Sequence, residues 1–288
     1  MLGQEICSKL RSQGKDYAIL SRSARQGEHP SYQWDPYNEE IDPESLTDLE
    51  TIIHLAGAGI ADKKWTKERK QVIIDSRVKT AGFLQKLVSE RNIQLKHFIS
   101  ASAINIHGLM PPNDHVYTES DPVGDDYIAE VIRLWEESAD AFKPARVVKI
   151  RIGIVLSNEG GALSKIAAPV KFGVGAPLGS GKQWVPWIHE ADVAGIFLHA
   201  LNDPGLHGAY NAVAPEHATN KQLTKAVGKA LKRPVFLPPV PGFLLKAWFG
   251  ELAALVLLGN RASCEKLKNT GYAFKFPKLD QALSDIYQ

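Results

Sequence analysis

Short β-rich runs alternate along this chain with stretches of helical periodicity, and that alternation restricts it to βαβ units more tightly than any other feature does. Residues 17–20, 51–55, 97–100 and 147–154 are apolar enough to be buried on both faces, which is the condition of a parallel strand covered by helices above and below. Between them, residues 3–11, 67–91 and 126–142 carry apolar side chains near the 3.6-residue period: Leu84, Leu87 and Val88 in the second, Ile128, Val131, Ile132 and Trp135 in the third. The expected fold class is α/β, a doubly wound parallel sheet. After about Val155 the rhythm loosens, and Gly and Pro gather at 173–186 and 234–242, where a smaller C-terminal lobe is expected. The expected division is 1–155 for the sheet domain and 156–288 mainly for the lobe, with some segments returning to the sheet.

At 288 residues the chain is long enough for one large domain with an appendage. Its 34 basic and 32 acidic residues are spread along its length, so no global field favours nucleic acid or an anionic membrane, and a small-molecule partner is expected. Cys7 and Cys264 are too few for a disulfide framework or a thiolate metal site, and read as small buried hydrophobes in a reducing compartment. No HExxH, CxxC or clustered His/Asp spacing suggests a metal. Residues 1–10 carry Gln4, Glu5 and Lys9 where an export signal needs an apolar segment, so a cytoplasmic location is expected. The most apolar run, 242–259, is interrupted by Lys246 and Glu251 and falls short of the roughly 20 apolar residues of a membrane span. It reads as a buried or partner-packed helix, with no stable membrane insertion and no basic polar face of its own. Self-association through it, as in a homodimer, is a further reading.

A dinucleotide-binding fold opens with an apolar strand, then a glycine-rich turn, then a helix whose first amides face the pyrophosphate. This sequence starts at Met1-Leu2-Gly3 and runs directly into Gln4-Glu5-Ile6-Cys7-Ser8-Lys9-Leu10, which reads as that helix already under way, with Gly3 as the last glycine of the turn. The strand and first two glycines are absent from the sequence. Truncation is the expected cause, because an empty central position would leave two rows of backbone groups unpaired. After the next strand the chain reads Ser21-Arg22-Ser23-Ala24-Arg25, where an enzyme using NAD would offer a carboxylate to the ribose hydroxyls. Arginine supplies a planar, always charged fork for phosphate oxygens, so Ser21, Arg22 and Arg25 point to NADP rather than NAD. Leu55-Ala56-Gly57-Ala58-Gly59, after the following strand, is a run of small residues that lets a ligand approach the backbone.

Taken with Gly3-Gln4-Glu5, Ser21-Arg22 and Leu55-Ala56-Gly57, the segments Ser100-Ala101-Ser102-Ala103, Arg151-Ile152-Gly153-Ile154-Val155-Leu156, Gly160-Gly161-Ala162-Leu163 and Pro186-Trp187-Ile188-His189 resemble the epimerase-like members of the extended short-chain dehydrogenase/reductases. The likeness runs through nearly the whole chain, to Tyr210-Asn211-Ala212-Val213-Ala214-Pro215 and Gly271-Tyr272-Ala273-Phe274. It implies a Rossmann-type cofactor domain, a nicotinamide cofactor and a substrate pocket roofed by the C-terminal lobe. Carried over residue by residue, it assigns the cofactor to Gly3, Ser21, Arg22, Arg25, Leu55, Ala56, Gly57, Ser100 and Gly153. Lys182, Trp187 and His189 fall on the substrate side, together with Trp184.

The chemistry departs from the pattern of the superfamily, in which a Tyr acts as acid/base, a Lys four positions on lowers its pKa, and a Ser or Thr holds the reacting oxygen. Ser102 stands where that Ser would be. Tyr127 opens the following helix near the expected place, yet Val131 occupies the lysine position, which leaves the phenol near its ordinary value of about 10. His107, on the loop after Ser102, is an alternative, since histidine exchanges protons near neutrality; Tyr117 is a weaker one. On the substrate side, Val185 and Pro186 stand where extended members carry an Arg-Asp pair, and Lys182 offers only a point charge. Asp192 reads as a stabiliser of its helix start. The expected function is that of an NADP-dependent, epimerase-like oxidoreductase acting on a small carbonyl or carbinol compound or a nucleotide-sugar, with Ser102 polarising the oxygen and Tyr127, His107 or water handling the proton. The alternative is an NADP(H)-binding sensor or scaffold that lost catalysis with the Tyr-Lys pair.

Overall fold

A computed structural model of the chain describes residues 2–23, 29–143 and 145–288. In chain order the first half contains α1 (Leu2–Ser12), β1 (Ile19–Ser21), β2 (Ser31–Asp35), β3 (Glu40–Ile41), β4 (Thr51–His54), α2 (Lys67–Glu90), β5 (His97–Ala103), β6 (Val116–Tyr117), α3 (Tyr127–Asp140) and β7 (Arg146–Ile152). The second half contains β8 (Ile154–Leu156), α4 (Gly161–Lys171), β9 (Trp184–Val185), β10 (Trp187–His189), α5 (Glu190–Asn202), β11 (Gly208–Ala212), β12 (Ala218–Thr219), α6 (Asn220–Ala230), α7 (Gly242–Phe249), α8 (Ala254–Leu257), β13 (Arg261–Ala262), α9 (Glu265–Lys268) and α10 (Leu279–Tyr287).

The central sheet is parallel throughout, in the order β11-β7-β5-β4. Side chains alternate across it: Ile99 and Ala101 of β5 join Ile6 and Leu10 of α1 and Ile196 and Phe197 of α5, whereas Phe98 joins Ala81 and Leu84 of α2 and Ala139 of α3. Helices therefore cover both faces, as in a Rossmann-type α/β fold. Local chemistry starts each covering helix in register: the Thr66 hydroxyl accepts from the Arg69 amide at the head of α2, and the Asp126 carboxylate does the same for Ala129 at the head of α3. Although α5 and β11 follow the looser stretch of sequence, they return to this sheet. In the second half, α4, α6 and α10 pack around Leu156, Leu163, Trp187, Leu223 and Leu283.

A second sheet holds β1, β2 and β3. Within it β1 is bonded in parallel to β2, while β4 is bonded only to β5, so no ladder joins β1 to β4 among the described residues. Leu20 of β1 and Ile52 of β4 nevertheless share one apolar cluster with Trp34 and Phe98. Two sheets thus share a core with no ladder between them among the described residues.

Residues 242–259 form two short helices, α7 and α8, rather than the one buried or partner-packed helix read from their apolarity. Gly250, at φ 58°, ends α7 after eight residues, and of α7 only Leu245 is buried, with Phe243, Trp248 and Phe249 left exposed. No helix among the described residues is long and apolar enough to cross a membrane.

A candidate cofactor crevice at the carboxyl edge of the sheet

Parallel strands end together, so the turns after β4, β5 and β7 crowd one edge, the usual ligand side of an open α/β sheet. The start of α1 lies there: a Cβ on Gly3 would stand 3.8 Å from Leu55 Cδ1. The turn after β4 is held from below by α2 and the loop before it. Ser76 Oγ accepts from the Ala58 amide at 2.8 Å, Arg77 Nη1 donates to the Ala58 carbonyl at 3.1 Å, Arg69 Nη2 donates to the Gly59 carbonyl at 2.6 Å, and Trp65 Nε1 donates to the Ile60 carbonyl at 2.9 Å. Gly57 is needed where it stands, because a Cβ would lie 3.1 Å from the Arg77 guanidinium carbon. Its backbone is exposed, next to partly buried Leu55 and Ala56. Burial holds the Arg77 pKa down at about 10, still cationic at neutral pH, with the guanidinium 4.7 Å over the Trp135 ring.

Arg22 follows β1, exposed and in no ion pair among the described residues, and no carboxylate occurs at residues 19–23. Beside it, the Ser21 hydroxyl donates to the Ser23 carbonyl. Arg25 lies outside the described residues. An open small-residue turn and an uncommitted guanidinium suit the adenosine half of a phosphorylated dinucleotide.

No hydrogen bond joins any two of the three acid/base candidates among the described residues. Ser102 sits on the α3 side of β5, where its hydroxyl donates to Glu136 Oε1 at 2.7 Å. Arg151 grips that carboxylate through Nε at 2.8 Å and Nη2 at 3.0 Å, and donates to the Glu119 carbonyl at 3.2 Å. All three side chains are buried. Ser100 is buried mid-strand opposite His54, its hydroxyl on the Ala101 carbonyl. The Tyr127 hydroxyl donates to the Lys70 carbonyl at 3.1 Å, its ring meets Trp65 edge-on at 5.1 Å, and burial pushes the phenol up to about 12. It borders an open hollow of about 460 Å³ with Trp65, Lys70 and Glu251, on the α2 side.

His107 closes a 3-10 turn directly after β5. Its Nδ1 is 2.8 Å from the Pro122 carbonyl oxygen, which only accepts, so Nδ1 carries the hydrogen. The opposite nitrogen, Nε2, then offers the lone pair, and it is buried without a partner among the described residues. Gly124 makes room for this loop, since a Cβ there would come within 2.6 Å of the His107 carbonyl.

Gly153, assigned to the cofactor by the resemblance, is a close-packing residue: its amide donates to the Ala212 carbonyl at 3.0 Å, and a Cβ would overlap the Pro186 carbonyl oxygen. Lys182 is exposed, whereas Trp187 and His189 are buried. His189 caps α5, with Nδ1 accepting from the Ala191 amide at 3.1 Å, and stacks on Phe276 at 4.0 Å. Asp192 does more than stabilise a helix start. Its buried carboxylate accepts from the Lys275 and Phe276 amides at 2.7 and 2.9 Å and so fastens the 275–276 strand of loop to α5. Trp184 borders a cavity of about 10 Å³, room for one water, and carries Arg261 stacked 4.9 Å above its ring. The Arg261 Nε donates to His217 Nδ1 at 2.9 Å. Arg261 stands alone after the apolar run 252–258, a local signal that a reading confined to positions 185 and 186 does not reach.

One buried group beneath the crevice titrates in an accessible range. Burial, with Arg77 adding like charge, depresses His54 from 6.5 to about 4. Its folded value is below its unfolded one, so the unfolded chain binds the extra proton. Stability from this group is full above the unfolded value and declines as pH falls to the folded one, by about 3 kcal/mol. Urea titrations between about pH 7 and pH 4 are expected to show that decline, and His54→Leu to flatten it.

The model of the NAD-dependent epimerase/dehydratase family matches residues 1–212, and that of a domain of unknown function, DUF1731, matches residues 240–286. The epimerase family protein YfhF of Bacillus subtilis is 34% identical, with 99% of this chain and 94% of that protein covered. The epimerase family protein SDR39U1 of Homo sapiens is 32% identical, with 99% and 96% covered. Among solved structures, human SDR39U1 (isoform 2) with NADPH matches at a TM-score of 0.87 and 30% identity, covering 100% of this chain and 96% of that one. The Thermus thermophilus UDP-glucose 4-epimerase with NAD matches at 0.74 and 19% identity, covering 100% and 96%, which speaks to the fold alone.

Proposed function

The chain belongs to the NAD-dependent epimerase/dehydratase family, and from that premise we propose that it binds NADP(H) along the carboxyl edge of its sheet and acts as an oxidoreductase on a small carbonyl or carbinol compound, nucleotide-sugars included. The observation that carries the cofactor choice is Arg22, an exposed guanidinium after β1, in no ion pair among the described residues and with no carboxylate at residues 19–23; the NADPH in the human relative supports the same choice. Gly3, Leu55, Ala56 and Gly57 would line the backbone-facing side, with Ser21 and Arg22, helped by Arg25, on the 2′-phosphate. The bound nicotinamide supplies hydride acceptance or donation. This chain's own work is to orient the reactants and move a proton, and we assign the second task to His107 Nε2, which has no partner among the described residues, whereas the Ser102 and Tyr127 hydroxyls donate to Glu136 and to the Lys70 carbonyl. Arg261 and exposed Lys182 supply positive charge on the substrate side for an anionic group. We place this activity in the cytoplasm.

Arg22→Ala is expected to weaken NADPH binding by about 10- to 100-fold, the worth of a lost charge-assisted contact, and to leave NADH binding unchanged. Turnover of a carbonyl and nucleotide-sugar panel with NADPH tests the oxidoreductase reading. Tight NADPH binding with no turnover would favour an NADP(H) sensor instead, a reading supported by the raised Tyr127 phenol and by Val131 at the lysine position.

A further inference from the structure

The balanced charge of the whole chain conceals a segregated stretch. From His217 to Gly250 there is no Asp or Glu, while Lys221, Lys225, Lys229, Lys232, Arg233 and Lys246 supply six cations. All six are exposed, and only Lys229 is in an ion pair among the described residues, with Asp280. The same stretch exposes Phe236, Phe243, Trp248 and Phe249, with Phe243 at 70% and Trp248 at 64% of full exposure.

These residues belong to one packed unit. The chain leaves α6, donates from the Arg233 amide to the Gly228 carbonyl at 2.8 Å, and sets Val235 against Gly228. It then runs back to the head of α6, where the Val240 amide donates to the Pro177 carbonyl at 2.8 Å and the Leu178 amide donates to Asn220 Oδ1 at 2.8 Å. From there α7 departs. Pro234, Pro238, Pro239 and Pro241 stiffen the returning segment, so ordering it against a partner costs little conformational entropy.

We propose that this face of the C-terminal lobe docks on an anionic lipid bilayer, with the α7 aromatics entering the interfacial layer and the α6 and 232–233 cations over the headgroups. Trp and Phe favour that layer, and basic side chains near it are attracted by the leaflet's surface potential. A second copy of the chain is disfavoured as the occupant, because a two-fold contact through this face would set cations against cations. The basis of the inference is charge complementarity, supplied by α6 rather than by the apolar segment itself.

Flotation of the full chain with phosphatidylcholine vesicles, with and without phosphatidylglycerol, tests it. Binding is expected only to the phosphatidylglycerol vesicles and to fall at least about tenfold on raising salt from low to high ionic strength. Trp248→Ser with Phe243→Ser, both exposed positions, is expected to abolish it at an unchanged melting temperature, and Lys221→Glu with Lys225→Glu to weaken it at least about tenfold. Equal or no binding to the two vesicles would overturn the proposal. So would lipid binding that survives both pairs of substitutions, or the same substitutions acting instead on dimerisation or on RNA retention.

Discussion

Replacing Arg151 with Met is expected to lower the free energy of unfolding by about 3–5 kcal/mol, the cost of leaving a buried carboxylate without its partner. Glu136 would keep Ser102 at 2.7 Å and Lys149 at 3.8 Å, but would lose both bonds from the guanidinium. The Glu119 carbonyl would lose its donor as well, and that segment is also tied to β11 through the bond from the Asn211 amide to the Glu119 carboxylate. Because β5, β7 and α3 meet at this pair, the loss should be global and appear as a lower urea midpoint with an unchanged slope. Removing both charges, as Glu136→Leu with Arg151→Met, should recover most of it. A single variant within about 1 kcal/mol of the parent would show that Glu136 is better solvated than its burial indicates.

His107→Gln is expected to cut turnover by about 10²- to 10⁴-fold while leaving NADPH affinity and melting temperature close to the parent's. Glutamine can still donate to the Pro122 carbonyl, which His107 reaches at 2.8 Å, but offers no basic nitrogen in place of Nε2. Tyr127→Phe is the informative companion. Its hydroxyl serves the Lys70 carbonyl, and burial holds it near 12, so it should change turnover by less than about threefold. The opposite ranking of the two variants would return the proton to the phenol.

Periodicity made the architecture legible, because strands buried on both faces and helices buried on one leave distinct patterns. The sheet of 51–54, 97–103 and 146–152 follows from those patterns. What periodicity leaves open is direction. Ser102 carries the residue type the superfamily uses, but the two-residue repeat of β5 puts it on the face of Phe98, turned toward Glu136 on α3. Asp192 and His189 gain their roles from Lys275, Phe276 and Asp285, more than 80 residues away, contacts that no local pattern encodes. The apolarity of the run 242–259 does not register Gly250 at φ 58°, which ends the helix. Arg22 is legible as a cofactor candidate because that reading depends only on its following a strand.

Calorimetric titration of the chain with NADPH and with NADH tests the central claim, that the edge formed by Arg22, the 55–59 turn and the start of α1 is a site for a phosphorylated dinucleotide. Binding of NADPH at least about tenfold more tightly than NADH is the result expected from one guanidinium on the 2′-phosphate. Equal affinity for the two, or no heat from either, would contradict it.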